Sequence, residues 1–146
     1  PDTGGAGKFR GGLGIEREYR LLAEDATFQL RSDRSDFTPW GVMGGKNGTP
    51  TENYLNPGTD REEKLPGKTL RQLKKGDLYR VVQAGAGGYG DPLERDMYAV
   101  ADDVEQEKLT PDYVRREYGV VIDPKTSALD VSATEKLRAE MGAGKT

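Results

Sequence analysis

Twenty glycines and eight prolines in 146 residues constrain this chain more than anything else in it. Glycine has no side chain to bury and proline no backbone donor, so stretches rich in both must be turns or ordered loops. The glycines gather in "PDTGGAGKFRGGLG" at the start, in "DFTPWGVMGGKNGTP" from Asp36, and in "GAGGYG" from Gly85. Only 34% of the residues are hydrophobic, against 32% charged. A domain this short of apolar side chains often completes its core against a partner.

There is no cysteine, which removes a disulfide framework, a thiolate metal site and a cysteine nucleophile together. There is no histidine either, so the commonest general base and the commonest metal ligand are both missing. Any chemistry performed by this chain alone would fall to carboxylates, Lys, Tyr or Ser. No apolar run reaches the roughly 18 residues of a membrane span, and no secretory signal opens the chain, so a cytoplasmic setting is expected. The net charge of -3 does not fit a nucleic-acid footprint. The expectation is therefore neither nucleic acid nor membrane as a partner.

The opening residues 1–13 form a Gly-rich arm that cannot fold by itself and is either disordered or laid on another surface. Residues 14–146 read as one domain, with a β part over 14–90 and a helical part over 91–146. In "GIEREYRLL", Ile15, Arg17, Tyr19 and Leu21 share one face while Glu16, Glu18 and Arg20 take the other, which is strand alternation. With Phe28 and Leu30 again two apart, Ile15 to Leu22 and Ala26 to Ser32 read as an antiparallel hairpin turning at Ala23-Glu24-Asp25. A short strand is expected at Tyr54-Leu55. A further strand leads to a Lys75-Gly76-Asp77 turn and then to a firmer strand over Leu78 to Gln83.

After Asp91 the apolar period lengthens. Asp91 as cap and Pro92 in the first turn predict a helix carrying Met97, Val100, Ala101 and Val104, ending near Lys108. Thr110-Pro111 opens a second helix, with Tyr113, Val114 and Tyr118 apolar and Gly119 as its left-handed cap. "VVID" is a short strand or extended link, and Ser132 with Glu135 is a capping box that opens a last helix through about Met141. Strands first and helices last make the fold class α+β.

Three motifs imitate phosphate loops. Gly85, Gly87 and Gly90 have the G-x-G-x-x-G spacing, but "DPLERD" follows, Asp91 would face the pyrophosphate, and no acid ends a second strand about 20 residues on. Gly-Lys-Thr occurs at Gly67 and at Gly144, yet a phosphate loop needs another glycine five residues earlier, where Glu62 and Ala139 stand. The glycines at 85–90 are left with a structural role, a tight corner that Tyr89 anchors, or a contact edge for a partner.

"GKFRGGLGIEREYR", "PWGVMGG", "GAGGYGDPLERD" and "REYGVVID" together resemble the C-terminal portion of hydantoinase B proteins, from about Gly4 to Asp123. That family includes N-methylhydantoinase and 5-oxoprolinase components and the acetone and acetophenone carboxylase subunits. Members are usually much longer. Two explanations fit this chain's brevity, a split gene yielding a small subunit or a fragment, and the resemblance is strongest to the small subunit of an acetophenone carboxylase, with Pro1 a residue from which an initiator Met is readily removed.

The resemblance implies an ATP-dependent carboxylation of a ketone through a phosphorylated enol. It implies larger hydantoinase A-like and hydantoinase B-like partner subunits, which would carry the ATP and a divalent metal. The alternative it leaves open is an ATP-dependent hydantoinase or 5-oxoprolinase amidohydrolase. On either reading the chain is a structural subunit, not an enzyme alone, with no catalytic, cofactor or metal residue of its own. Its expected partner-facing residues are Arg10, Trp40, Gly41, Gly44, Gly45, Gly87, Gly88 and Tyr89, because Trp supplies large contact area and glycines allow close backbone approach. Trp40 as a core plug is the competing reading. Asp91 reads as a helix cap, Arg95 as its ion-pair partner on the helix surface, and "DDVEQE" as a solvated face.

Overall fold

The computed structural model describes residues 1–144; Lys145 and Thr146, and with them the second Gly-Lys-Thr, lie outside the described residues. Six strands precede three α-helices: β1 (Glu16–Arg20), β2 (Asp25–Arg31), β3 (Glu52–Leu55), β4 (Glu63–Lys64), β5 (Lys68–Lys74), β6 (Leu78–Val82), then α1 (Met97–Glu105), α2 (Pro111–Tyr118) and α3 (Val131–Ala143). All strand pairing between these elements is antiparallel, and the α+β class is as expected.

The pairing of the strands departs from the expected hairpin. β1 pairs with β6 and β2 with β5, within a four-stranded sheet of order β1-β6-β3-β4 and a separate two-stranded sheet. Segment 16–31 therefore runs as one arm of a long ribbon against segment 68–82, and the ribbon bends in the middle. Pairing stops at Arg20 with Leu78 and resumes at Asp25 with Lys74, so residues 21–24 face residues 75–77 across a bulge of one extra residue. Leu21 N–H donates to the Asp77 carbonyl, Gly76 N–H to that of Leu21 and Lys75 N–H to that of Glu24, which holds the bend. The physical reason is turn chemistry. "LLAED" has no Gly or Asn to adopt the positive φ of a tight hairpin, whereas Gly76 on the opposite arm sits at φ +89° and carries the curvature.

A buried polar cluster stabilises the same corner. Asp77, 7% exposed, accepts from the Lys74 N–H and from Asn56 Nδ2 and Arg61, while Asn56 closes onto the backbone of Leu78. The Lys74 amide, ahead of Asn56 and Arg61, holds the Asp77 carboxyl below its usual range.

Of the helices, α2 forms where its signals lie. Thr110 Oγ1 accepts from the Tyr113 N–H, Pro111 occupies the first turn, and Gly119 ends it at φ +60°. The other two start elsewhere than expected. Asp91 caps only a single 3-10 turn, Pro92–Glu94, and α1 begins at a second cap, Asp96, whose side chain accepts from the Tyr98 N–H. At α3 the cap is Asp130, accepting from the Ala133 N–H, so Ser132 lies inside the first turn and the capping box is not used. In both cases an aspartate takes the orphan amides at the helix start, as its charge favours.

The main core lies among the helices: Val100, Leu109, Val114, Tyr118, Val120 and Ile122. Ala6, from the N-terminal arm, completes it. The arm is thus built into the protein, and Asp2 fastens it to α2 by accepting from the N–H and the hydroxyl of Thr110.

Candidate interaction surfaces

The three glycine-rich stretches come together as one nest. Gly5 N–H donates to the Ala86 carbonyl, Lys46 N–H to that of Ala6, Gly88 N–H to that of Lys46 and Val42 N–H to that of Gly88, so each stretch is bonded to the other two. Phe9 and Tyr89 exchange both backbone hydrogen bonds, each 2.9 Å long. The contact is backbone on backbone: a Cβ on Gly88 would fall on the Ala6 carbonyl oxygen, one on Gly45 on that of Gly88, and one on Gly87 on that of Trp40. The α-hydrogens in those places point at carbonyl oxygens, a geometry that adds weak attraction along the whole contact. In this part of the chain, backbone packed on glycine stands in for a side-chain core.

This nest and the strands around it occupy residues 1–92, the segment that matches the family described as Hydantoinase B/oxoprolinase. The chain belongs to the hydantoinase B/oxoprolinase family. It is 40% identical, over 94% of its length, to an uncharacterised protein of Methanocaldococcus jannaschii, of which it covers 24%. It is 36% identical to the caprolactamase subunit beta of Pseudomonas jessenii, over 94% of this chain and 24% of that one. The crystal structure of that ATP-dependent caprolactamase superposes with a TM-score of 0.78 over 94% of this chain. The acetone carboxylase alpha subunit of Xanthobacter autotrophicus is 27% identical over 95% of this chain and 23% of that subunit. A nucleotide-free acetone carboxylase structure shares the fold, with a TM-score of 0.80 at 23% identity. This hydantoinase B-type chain therefore spans about a quarter of the length of the curated relatives it matches.

The residues singled out in the sequence divide into two groups. Gly41, Gly45, Gly87 and Gly88 make their close approaches within the chain, while at Gly44, φ +91°, a Cβ would meet only ordinary contact at 3.7 Å, so this glycine serves the turn itself. Trp40, Val42, Met43, Tyr89 and Phe9 stand on the outside of the nest, with Trp40 67% and Met43 73% exposed. Trp40 is no core plug. The Arg34 guanidinium lies over its ring, 5.5 Å from the ring centre.

Arg10 turns inward. Its Nε and Nη2 donate to both oxygens of Asp103, at 3.0 and 3.1 Å, and Arg95 Nη2 donates to the same carboxylate at 3.0 Å. Asp103 is 3% exposed, so the expected solvated face of "DDVEQE" is corrected at this residue. Burial pushes its carboxyl up, and Arg10 and Arg95 together outweigh that and leave it below the usual carboxylate range. The pairing ties the arm, the corner after the nest and α1 into one node. Sequence reasoning missed Asp103, although its place three residues after Val100, on the apolar side of α1, was the available signal.

A second apolar surface lies between the two sheets, inside the bent ribbon. It is an open cleft of about 850 Å³, lined by Tyr19, Phe28, Leu30, Leu73, Tyr79 and Val81 among others. Phe28 and Tyr79 meet with ring centres 4.8 Å apart, and the Tyr79 hydroxyl donates to Asn53 Oδ1 at 2.7 Å. Burial, then the nearby Tyr19, raises the pKa of that hydroxyl. Among the described residues no group of three or more carboxylates is placed to hold a metal ion. More large apolar side chains are exposed than are buried.

Proposed function

We propose that this chain is a structural component of an ATP-dependent hydantoinase B-type complex, completing the hydantoinase B-like half and contributing no catalytic group of its own. The observation that carries the reading is that relatives of this family devote about four times the length to the same protein, while this quarter of it leaves large apolar surfaces uncovered. The nucleotide and a divalent metal belong to the partner chains. That assignment agrees with the failed phosphate motifs and with a chain that has neither histidine nor cysteine.

Two substrate classes are open to such a complex. Hydrolysis of a cyclic amide is favoured by the 36% identity to a caprolactamase subunit, against 27% to an acetone carboxylase subunit over the same extent. Carboxylation of a ketone, of the acetophenone type, is the second reading and draws on the acetone carboxylase likeness. In either, the chain's contribution is to hold the larger subunits in register.

The test is to tag this chain in its source, purify it with what accompanies it, and follow ATP hydrolysis on adding a lactam or hydantoin, or a ketone with bicarbonate. Substrate-stimulated hydrolysis by the complex, absent from the isolated chain, is the expected result. Turnover by the isolated chain would overturn the proposal.

A further inference from the structure

Two uncovered apolar surfaces are available to such a complex, the outer face of the glycine nest and the cleft between the sheets. We infer that the inter-sheet cleft is the seat of the large hydantoinase B-type body, which inserts an apolar segment. This deepens the reading above and rests on it.

The cleft is unfinished in a way the nest face is not. β1, the edge strand that forms one wall, is exposed at every one of its positions although it carries a tyrosine. Tyr19 is 53% exposed although its ring stacks on Tyr79 with centres 6.0 Å apart, so the aromatic floor continues into solvent. The apolar surface does not stop at the mouth: Ile15, on the Tyr19 face of the same wall, is 50% exposed. A small-molecule pocket encloses most of its ligand. An open trough that extends past its own rim fits a polypeptide better.

Side-chain chemistry selects the occupant. Tyr19, Phe28, Leu30, Leu73, Tyr79 and Val81 line the cleft, and no carboxylate does. Arg20 and Arg31 border it but alternate with Tyr19 and Leu30 along their strands, Arg20 on the side of Glu16 and Glu18, where it donates to the Gly76 carbonyl while both glutamates pair with Arg80. Glu16, Glu18 and Arg20 therefore share the other face of β1, and an apolar segment is what complements the cleft. The source follows from length: three quarters of each matched relative lies outside the region shared with this chain.

The backbone adds a constraint. Gln83 N–H donates to the Ile15 carbonyl and Leu21 N–H to that of Asp77, so the odd-numbered residues of the wall bond to β6. The amides of Glu16, Glu18 and Arg20 then face outward, and among the described residues β1 pairs with β6 alone. The incoming segment can engage that edge while its side chains enter the cleft, which is how a strand is added to a sheet.

The experiment places a photo-crosslinking benzoylphenylalanine at position 19 or at position 40 of the tagged chain in its source and identifies crosslinked peptides by mass spectrometry. A hydantoinase B-type body captured from position 19 is expected. Tyr19→Asp, on a half-exposed side chain, should lower the amount of that body co-purified by about tenfold or more, and Trp40→Asp by less than about twofold. Circular dichroism should show both variants folded. Capture from position 40 alone would overturn the cleft assignment and leave the proposed function standing. Capture of no hydantoinase B-type chain from either position would overturn both. A small molecule of a few hundred daltons retained in native mass spectra, with no polypeptide at position 19, would reassign the cleft as a ligand pocket.

Discussion

Substituting a single glycine separates packing from conformation in the nest. Gly88→Ala puts a methyl group on the Ala6 carbonyl oxygen, a backbone atom that cannot swing away, and should cost about 3 kcal/mol or more. Gly12→Ala meets nothing within 4 Å and should change stability by less than about 0.5 kcal/mol. Urea unfolding of the two variants against the parent makes the comparison, and equal effects would refute the nest as a packed core. Asp103 supplies the second residue-scale prediction. Asp103→Asn leaves two guanidiniums partly unpaired in a buried site and should cost about 3–5 kcal/mol at neutral pH. Because the folded-state pKa is depressed, the carboxylate's contribution is present above the ordinary carboxylate value of about 3.9 and is lost as pH falls through the lower, folded value. The gap between parent and variant should therefore close in acid, which chemical unfolding at pH 7 and below pH 4 would show.

Helix ends and strand partners differ in how far apart in sequence their causes lie. The α2 helix was legible because its cap, its proline and its terminal glycine are all within ten residues of one another. The start of α3 lies two residues before the expected cap, at Asp130 in place of Ser132, and this gives a prediction: Asp130→Ala should cost about 1 kcal/mol while Ser132→Ala should be near neutral, as measured by thermal unfolding. The alternation of β1 and β2 was also legible, since it is a property of each strand. Their partners were not, because the register of Glu16 with Val82 and Arg31 with Lys68 is set by contacts more than thirty residues apart. The bulge between them leaves no local trace except the missing turn residues in "LLAED". Hydrogen exchange checks the ribbon: amides of Glu16, Glu18 and Arg20 should exchange much faster than those of Arg17 and Tyr19 in the isolated chain. Equal protection along β1 would contradict the pairing.

For the molecule as a whole, the glycine content that first excluded regular structure turns out to build the interior. Three stretches separated by more than twenty residues each contribute bare backbone to one nest, and no local pattern announces that they meet. Of the residues picked out as partner-facing, Trp40 and Tyr89 are exposed, whereas Arg10 is bound to Asp103 and four of the glycines pack internally. The inter-sheet cleft was hidden for the reason the ribbon was: Tyr19, Phe28 and Tyr79 converge only once β1 pairs with β6 and β2 with β5. The fold places its apolar side chains on surfaces that this quarter of a family member cannot cover, and incompleteness is the claim on which the functional reading depends. Native mass spectrometry of the tagged protein purified from its source at physiological salt tests it most directly. The account predicts a species far heavier than 16.0 kDa, whose additional mass is a hydantoinase B-type polypeptide. A homogeneous, soluble 16.0 kDa monomer would contradict it.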